Sequence, residues 1–164
     1  MASPGVLRRL RLRWALRAYI DNQDATCQAR TAQVVAWLGN DARFRDPDNT
    51  VGAVYVAWMQ GNEPFDHTAA MVAWDDGQYV VDTTITQFDG YRGPRIYIDR
   101  LDRWRAAVEA AVRHEADDAD GFDLRTRPDG AFDEGEMTAM QLRMREGRAL
   151  EDSRSWHSDA TEGD

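Results

Sequence analysis

The hydrophobic residues at the start of the chain recur with the period of an α-helix. Between residues 6 and 20, apolar side chains fall on one line of the predicted helix and arginines on another. The first twenty residues contain five Arg and no acidic residue. Such a basic amphipathic helix either docks on the rest of the domain, which is the simpler interpretation, or binds an anionic protein or lipid surface. An organelle presequence has the same character. The apolar line consists of Leu7, Leu10 and Trp14.

A second helical pattern begins near Asp24 or Thr26, both of which are good N-cap residues. It ends at Gly39 and Asn40, a common signal for a helix C-terminus. The single cysteine of the chain therefore lies in the first turn of this helix. The predicted buried face consists of Cys27, Thr31, Val34, Val35 and Leu38.

Three apolar segments in the middle of the chain have the length and composition of β-strands. They are residues 51–59, 67–74 and 78–84. The last two are separated by Asp75-Asp76-Gly77, and Asp-Gly is a strong hairpin signal. Both of these strands are apolar on both faces, which predicts a central place in a sheet that is covered on both sides.

A short strand at residues 95–98 and a helix capped by Asp99 follow, and the apolar residues of this helix can close the core. Beyond them the chain becomes acidic, and one more helix is predicted at about residues 134–148. Its Met137, Met140 and Met144 share one face, which is more typical of packing than of a binding groove.

These elements divide the chain into three parts. We predict a basic amphipathic helix at residues 1–20, an α+β core at residues 21–116 and an acidic extension at residues 117–164. The apolar content of the extension is too low to build a core, so we expect it to be dispensable for folding. Residues 151–164 are expected to form a disordered tail for the same reason.

Composition excludes several kinds of chemistry. With one cysteine in 164 residues, the chain cannot form an intramolecular disulfide, a four-cysteine zinc site or an iron–sulfur cluster. All 20 basic residues are Arg, so neither a P-loop lysine nor a Schiff-base lysine is present. The formal net charge of −9 argues against general nucleic-acid binding. No metal site and no cofactor is predicted.

No apolar run approaches the roughly 20 residues that cross a bilayer, and the N-terminus lacks the apolar stretch of a secretory signal peptide. We therefore expect no transmembrane segment. The expected location is cytoplasmic, with delivery by a non-classical route or association with a virion as the alternatives.

Three residues have the types and positions of a thiol triad. A nucleophilic cysteine is commonly placed at a helix N-terminus, where Cys27 is predicted to lie. His67 is predicted to open a strand directly after a turn, which would place its imidazole at the edge of the sheet. Asp82 lies on the next strand, where a charged residue needs a partner. A carboxylate that accepts the imidazole N–H would supply the third role of a Cys-His-acid arrangement.

The hairpin loop decides whether His67 and Asp82 can meet. A loop from Trp74 to Gly77 pairs Ala73 with Gln78, and Asp82 is then a diagonal neighbour of His67 on the same face of the sheet. A tighter two-residue turn keeps the face but separates the two residues by four positions.

The order helix-borne Cys27, His67, Asp82, across a helix and three strands, resembles the catalytic core of papain-like and transglutaminase-like proteins. The segment His67-Thr-Ala-Ala-Met-Val-Ala-Trp, followed by Asp82-Thr-Thr-Ile-Thr-Gln87-Phe88, is similar to a stretch found in papain-fold bacterial toxins and effectors. The resemblance covers about residues 22–99. Unlike many members, Cys27 is neither preceded by Gly nor followed by an aromatic residue.

The resemblance implies an α+β papain-like fold, with Cys27 as nucleophile, His67 as general base and then acid, and Asp82 as the orienting carboxylate. It implies acyl transfer on an amide of a protein or peptide, as in glutamine deamidases, peptidases and transglutaminase-like enzymes. Gln23 or Asn22 would contribute to the oxyanion hole, and Gln87 would support or line the site. The alternative is a papain-like fold used for structure or interaction, for example in a phage or a larger complex, with the basic helix or the acidic tail contacting a protein partner.

Overall fold

A five-stranded antiparallel sheet forms the centre of the molecule, in the order β4-β3-β2-β1-β5. The computed structural model describes the backbone of residues 4–19, 25–41, 43–44, 50–74 and 76–159, and the side chains of residues 6–17, 25–41, 43–44, 50–74 and 76–150. Within these residues the strands are β1 (Val51–Gln60), β2 (Glu63–Trp74), β3 (Gly77–Asp82), β4 (Tyr97–Arg100) and β5 (Ala119–Arg127). The helices are α1 (Pro4–Ala15), continued by a 3₁₀ turn (Leu16–Tyr19), α2 (Cys27–Asn40), α3 (Leu101–Glu115) and α4 (Glu134–Asp159). The expected α+β architecture, with a Cys-bearing helix on an antiparallel sheet, is confirmed.

Helices cover both faces of the sheet, as the apolar character of β2 and β3 predicted. On one face, α1 and α2 bury Leu12, Leu16 and Leu38 against the sheet. On the other face, α3 buries Trp104 and Val108 against neighbouring strand residues. Part of the first face is covered by α4, whose methionines pack over β1. None of the helices in the described part of the chain is long and apolar enough to cross a bilayer.

The helix α1 has two apolar sides with different surroundings. Leu12 and Leu16 are fully buried, and Arg9 is anchored 3.1 Å from the Asp99 carboxylate. Leu10 and Trp14 are 52% and 69% exposed. The helix thus docks on the domain through the line that includes Leu12, and it leaves the predicted apolar line exposed. The residue predicted to cap α3, Asp99, instead accepts a hydrogen bond from Arg9, and the N-cap position is occupied by Arg100.

The predicted start of β2 is wrong, and one strand was missed. The chain turns at Gly61 and Asn62, so β2 begins at Glu63 and His67 lies inside the strand rather than at its start. The sequence Gly-Asn-Glu-Pro at residues 61–64 is turn-like, but Glu63 and Pro64 pair with Gln60 and Met59 of β1. The acidic segment at residues 119–127 forms β5 and pairs with β1, so this part of the predicted extension belongs to the sheet.

The short length of β3 creates the space in which a site can form. β3 pairs with β2 from Trp74 to Ala70 and ends at Asp82, so no strand among the described residues lies beside the first half of β2 on that side. The start of α2 fills this gap, because the Thr31 hydroxyl donates a 2.9 Å hydrogen bond to the Thr68 carbonyl of β2. The N-terminus of α2 is thereby held next to the end of β3.

Candidate active site

The N-cap of α2 determines the position of the only cysteine. Thr26 caps the helix, because its side-chain oxygen accepts a 3.2 Å hydrogen bond from the Ala29 N–H. Cys27 is the first residue of the helix and is partly exposed, so its sulfur lies beside the positive end of the helix dipole. The side chain of Cys27 lies near enough to His67 for its hydrogen bonding and its charge to raise the pKa of the imidazole. The predicted position of Cys27 in the first turn is thus observed.

His67 is fully buried and is held from several sides. Its Nε2 lies 2.7 Å from Asp82 Oδ2, and the Nε2 of Gln87 lies 2.8 Å from its Nδ1. The imidazole stacks on Trp104 at a centroid distance of 5.9 Å, and its ring is 5.0 Å from that of Phe88 in an edge-to-face contact. The ring therefore has little freedom to turn away from Cys27.

Asp82 is buried at the end of β3, and both of its carboxylate oxygens are hydrogen-bonded. Oδ2 accepts hydrogen bonds from His67 and, at 2.9 Å, from the indole N–H of Trp104. Oδ1 accepts from the backbone N–H of Thr84 at 2.8 Å and from its hydroxyl at 3.1 Å. A buried carboxylate is costly unless it is paired and hydrogen-bonded, and these partners meet that requirement.

The carboxylate of Asp82 fixes the tautomer of His67. A carboxylate only accepts hydrogen bonds, so the Nε2 of His67 must carry a proton. In the neutral ring Nδ1 is therefore free of a proton and accepts from the Gln87 amide or from the Cys27 thiol. In the imidazolium Nδ1 becomes a donor toward the sulfur, and the Gln87 amide would then turn so that Oε1, an acceptor, faces Nδ1 in place of Nε2.

The electrostatics of the pair favour the charged imidazole. Burial alone would lower the pKa of His67, but the charge and the hydrogen bond of Asp82, together with Cys27, raise it to about 10. Burial likewise opposes ionisation of Asp82, and the charge of His67 and the hydrogen bonds from His67, Trp104 and Thr84 bring the pKa of this carboxyl below its ordinary value. The two residues thus form a buried imidazolium–carboxylate pair.

The loop after β3 carries the remaining contacts of the site. Gln87 ends a 3₁₀ turn that starts at Ile85, and Phe88 follows it. The loop lies tightly on α3, since a Cβ at Gly90 would meet the Ala111 carbonyl oxygen at 2.6 Å. The Gln87 amide is therefore held close to the imidazole by the packing of the loop.

The structure brings together four of the six residues that the sequence suggested. Cys27, His67, Asp82 and Gln87 form one cluster, whereas Asn22 and Gln23 lie outside the described residues. The predicted contact between His67 and Asp82 is present, in the register that pairs Ala73 with Gln78.

The indole N–H of Trp104 is a contact that sequence reasoning missed. Trp104 was predicted only as an apolar residue of α3. A buried indole N–H needs an acceptor, and a buried carboxylate needs donors. The need of each group for a hydrogen-bond partner was the signal that could have paired Trp104 with Asp82.

Within the described part of the chain, no group of three or more His, Cys, Asp or Glu side chains is arranged to hold a metal ion.

Comparisons with known proteins gave one structural similarity. No family model and no curated protein matches the chain. Among solved structures, the C-terminal region of Pasteurella multocida toxin, reported to contain a thiol-protease like catalytic triad, is similar with a TM-score of 0.43 and 19% sequence identity. The similarity covers 81% of this chain and 19% of the toxin chain, so this chain spans about a fifth of the length of the protein it matches. The assignment of the site rests on its geometry.

Proposed function

We propose that this protein is a cysteine-dependent enzyme that transfers the acyl group of an amide in a protein or peptide. The observation that supports the proposal is the buried His67, held between the Asp82 carboxylate and the Cys27 sulfur at the start of α2. A hydrogen-bonded order of thiol, imidazole and carboxylate is the arrangement that activates a thiol nucleophile. The partial exposure of Cys27 agrees with this proposal, because a cysteine that only filled a core would be buried.

In the proposed reaction the Cys27 thiolate attacks the amide carbonyl carbon and forms a C–S bond. The C–N bond then breaks, and the imidazolium of His67 gives its Nδ1 proton to the leaving nitrogen. Water or an amine then attacks the carbonyl carbon of the resulting thioester, with His67 as the base that removes its proton. The C–S bond breaks, the acyl product leaves, and the Cys27 thiolate and the imidazolium are restored. Asp82 keeps Nε2 protonated throughout and stabilises the charged ring. The backbone N–H of Cys27, with the side-chain amide of Asn22 or Gln23, would bind the oxyanion.

The leaving group and the acceptor together distinguish three such reactions. A glutamine deamidase releases ammonia from a side chain, a peptidase releases an amine from the main chain, and a transglutaminase-like enzyme passes the acyl group to an amine. Gln87 contacts the imidazole in each case, and its amide positions the ring without taking part in bond formation.

The charge state of Cys27 in the native protein tests the proposal. Iodoacetamide reacts with the thiolate, and an imidazolium partner keeps a thiolate present at about pH 6. We expect complete alkylation of native Cys27 at about pH 6, slowed by roughly a hundredfold in His67→Ala and less in Asp82→Asn. Mass spectrometry of the intact protein over time measures the rate, and no other thiol competes because the chain has one cysteine.

A matched variant, His114→Ala, removes an exposed histidine of α3 and should leave the alkylation rate unchanged. If Cys27 reacts only after unfolding, in wild type and in His67→Ala alike, the proposed enzymatic function is contradicted. That result would favour a papain-like fold used for structure or interaction.

A further inference from the structure

A cavity of about 410 Å³ lies next to the candidate active site, on the face of the sheet that α3 covers. Gln87 and Phe88 line it, and both of these side chains also contact His67. The cavity therefore borders two of the side chains that hold the imidazole. Its volume is in the lower part of the range of small-molecule sites, which is enough for one bulky side chain of a larger substrate.

The apolar part of the cavity wall is mostly aromatic and is held in place by the sheet. Trp58 of β1 and Phe65 of β2 stack at 6.3 Å, and Phe122 of β5 stacks on Trp58 at 6.0 Å. Phe88 and Val112 complete the apolar part of the lining. Phe65 is 44% exposed, although large aromatic side chains usually gain stability from burial. A ligand that covered this ring would remove that apolar surface from water.

The polar part of the lining decides which charge the cavity accepts. Gln60, Gln87 and Glu115 contribute polar groups, and no Arg is among the described lining residues. Asp66 also borders the cavity, but its carboxylate is engaged by the Tyr55 hydroxyl and by Gln141 of α4. A carboxylate on the ligand would thus meet the Glu115 carboxylate, which accepts a 3.0 Å hydrogen bond from the Gly90 N–H, and no arginine among the described lining residues would neutralise it.

We infer that this cavity is a substrate subsite, which takes a bulky apolar side chain, preferably aromatic, next to the reacting amide and rejects an acidic one. The inference rests on the proposed function, because it assigns specificity to the same site. The substrate class it names is a protein or peptide segment in which a Phe-, Tyr- or Leu-like side chain lies beside the amide.

Three chloroacetamides test the inference without a known substrate. They are N-methyl, N-phenethyl and N-(2-carboxyethyl) chloroacetamide, which alkylate Cys27 with loss of chloride and differ in the group that can enter the cavity. Rates on the native protein, normalised to free glutathione, should favour the phenethyl over the methyl reagent by roughly tenfold. The carboxyethyl reagent should be slower than the methyl one.

Two substitutions at the cavity and two matched controls locate the effect. Phe65→Asp should bring the ratio of the phenethyl rate to the methyl rate close to one. Leu142→Asp, at a residue of α4 that is 52% exposed, should leave this ratio as in wild type. Glu115→Arg should raise the relative rate of the carboxyethyl reagent, and Glu146→Arg on α4 should not. Glu115 is exposed, and the rate of the methyl reagent reports any effect on Cys27 of losing the hydrogen bond from the Gly90 N–H to Glu115, so this variant remains informative if Phe65→Asp does not fold.

The outcomes separate the two proposals. If the methyl reagent does not modify native Cys27, the proposed function fails and the subsite falls with it. If the methyl reagent reacts but the phenethyl reagent has no advantage, or if Phe65→Asp and Leu142→Asp change its advantage equally, the subsite is overturned and the proposed function stands.

Discussion

At the scale of single residues, the candidate site contains a buried charged pair, His67 and Asp82, and both carboxylate oxygens of Asp82 are hydrogen-bonded. Asp82 accepts four hydrogen bonds, from His67, Trp104 and the two donors of Thr84. Burying an ion pair costs desolvation energy, and such a pair is stable only when its remaining positions are hydrogen-bonded. Removing one partner would leave an uncompensated charge in the core, so the pair makes the stability of the fold depend on pH.

The stability of the protein should follow the ionisation of this pair. His67 has a raised pKa, so its contribution is complete below about pH 6.5 and is lost as the pH rises through about 10. The pKa of Asp82 is lowered. Its contribution to stability is therefore present at pH values above the ordinary aspartate pKa, and it is lost as the pH falls through the lowered pKa. We expect unfolding free energies from urea titrations to decrease by up to about 1.4 kcal/mol per pH unit between about 6.5 and 10.

In His67→Gln this alkaline decrease should be much weaker, because the titrating group is gone. His114→Gln, at an exposed histidine of α3, should keep the wild-type profile. An identical alkaline decrease in wild type and His67→Gln would show that the imidazole is not a charged partner of Asp82.

At the scale of helices and strands, the basic helix α1 contributes buried residues to the core. Leu12 is fully buried while Leu10, two residues away, is 52% exposed. Truncating a buried Leu to Ala costs about 2–5 kcal/mol, and a surface substitution changes stability by less than about 0.5 kcal/mol. Leu12→Ala should therefore destabilise the protein strongly in urea unfolding, and Leu10→Ala should not. Equal effects would mean that α1 does not dock.

The strand β5 reverses the expectation that the chain after Asp117 is dispensable. β5 pairs with β1 from Ala53 to Gln60, and α4 buries Met137 over Tyr55 of β1. A chain that ends at Asp118 would expose the backbone of β1 along this edge and would lose the cover of α4. We expect such a chain to lack a cooperative thermal transition in circular dichroism, and a transition at the wild-type temperature would contradict the role of β5.

The elements that the sequence predicted well are those with a strong local signal. The N-cap Thr26, the apolar runs of β1 to β3 and the Asp-Gly hairpin each act over a few residues, and the hairpin register was enough to bring His67 and Asp82 together. β5 has the sequence Ala-Asp-Gly-Phe-Asp-Leu-Arg-Thr-Arg, which is rich in residues that strands disfavour. Pairing with the edge of β1 outweighs these preferences, and a tertiary contact of this kind is not visible in local sequence. The same holds for the bond between Trp104 and Asp82, which are 22 residues apart.

At the scale of the whole molecule, the candidate site joins the two layers of helices. Cys27 comes from α2 on one face of the sheet, whereas His67, Asp82 and Trp104 meet on the face that α3 covers. They come together where β3 ends and the start of α2 fills the open edge of β2. The reactive arrangement therefore depends on both layers being docked at the same time.

The two cores should consequently unfold as one unit. Neighbouring residues of β3 supply both of them, since Val81 packs under α2 and Val80 under α3, so neither layer can leave without breaking the sheet that the other needs. Leu38→Ala in α2 and Val108→Ala in α3 each remove buried methyl groups, and each should lower the midpoint of one shared transition, seen alike by circular dichroism and tryptophan fluorescence. In the double variant the two losses should add to within about 0.5 kcal/mol, because the residues lie on opposite faces of the sheet. Two separate transitions, one sensitive to Leu38 and the other to Val108, would contradict a single unit and would mean that Cys27 can separate from His67 while the sheet remains folded.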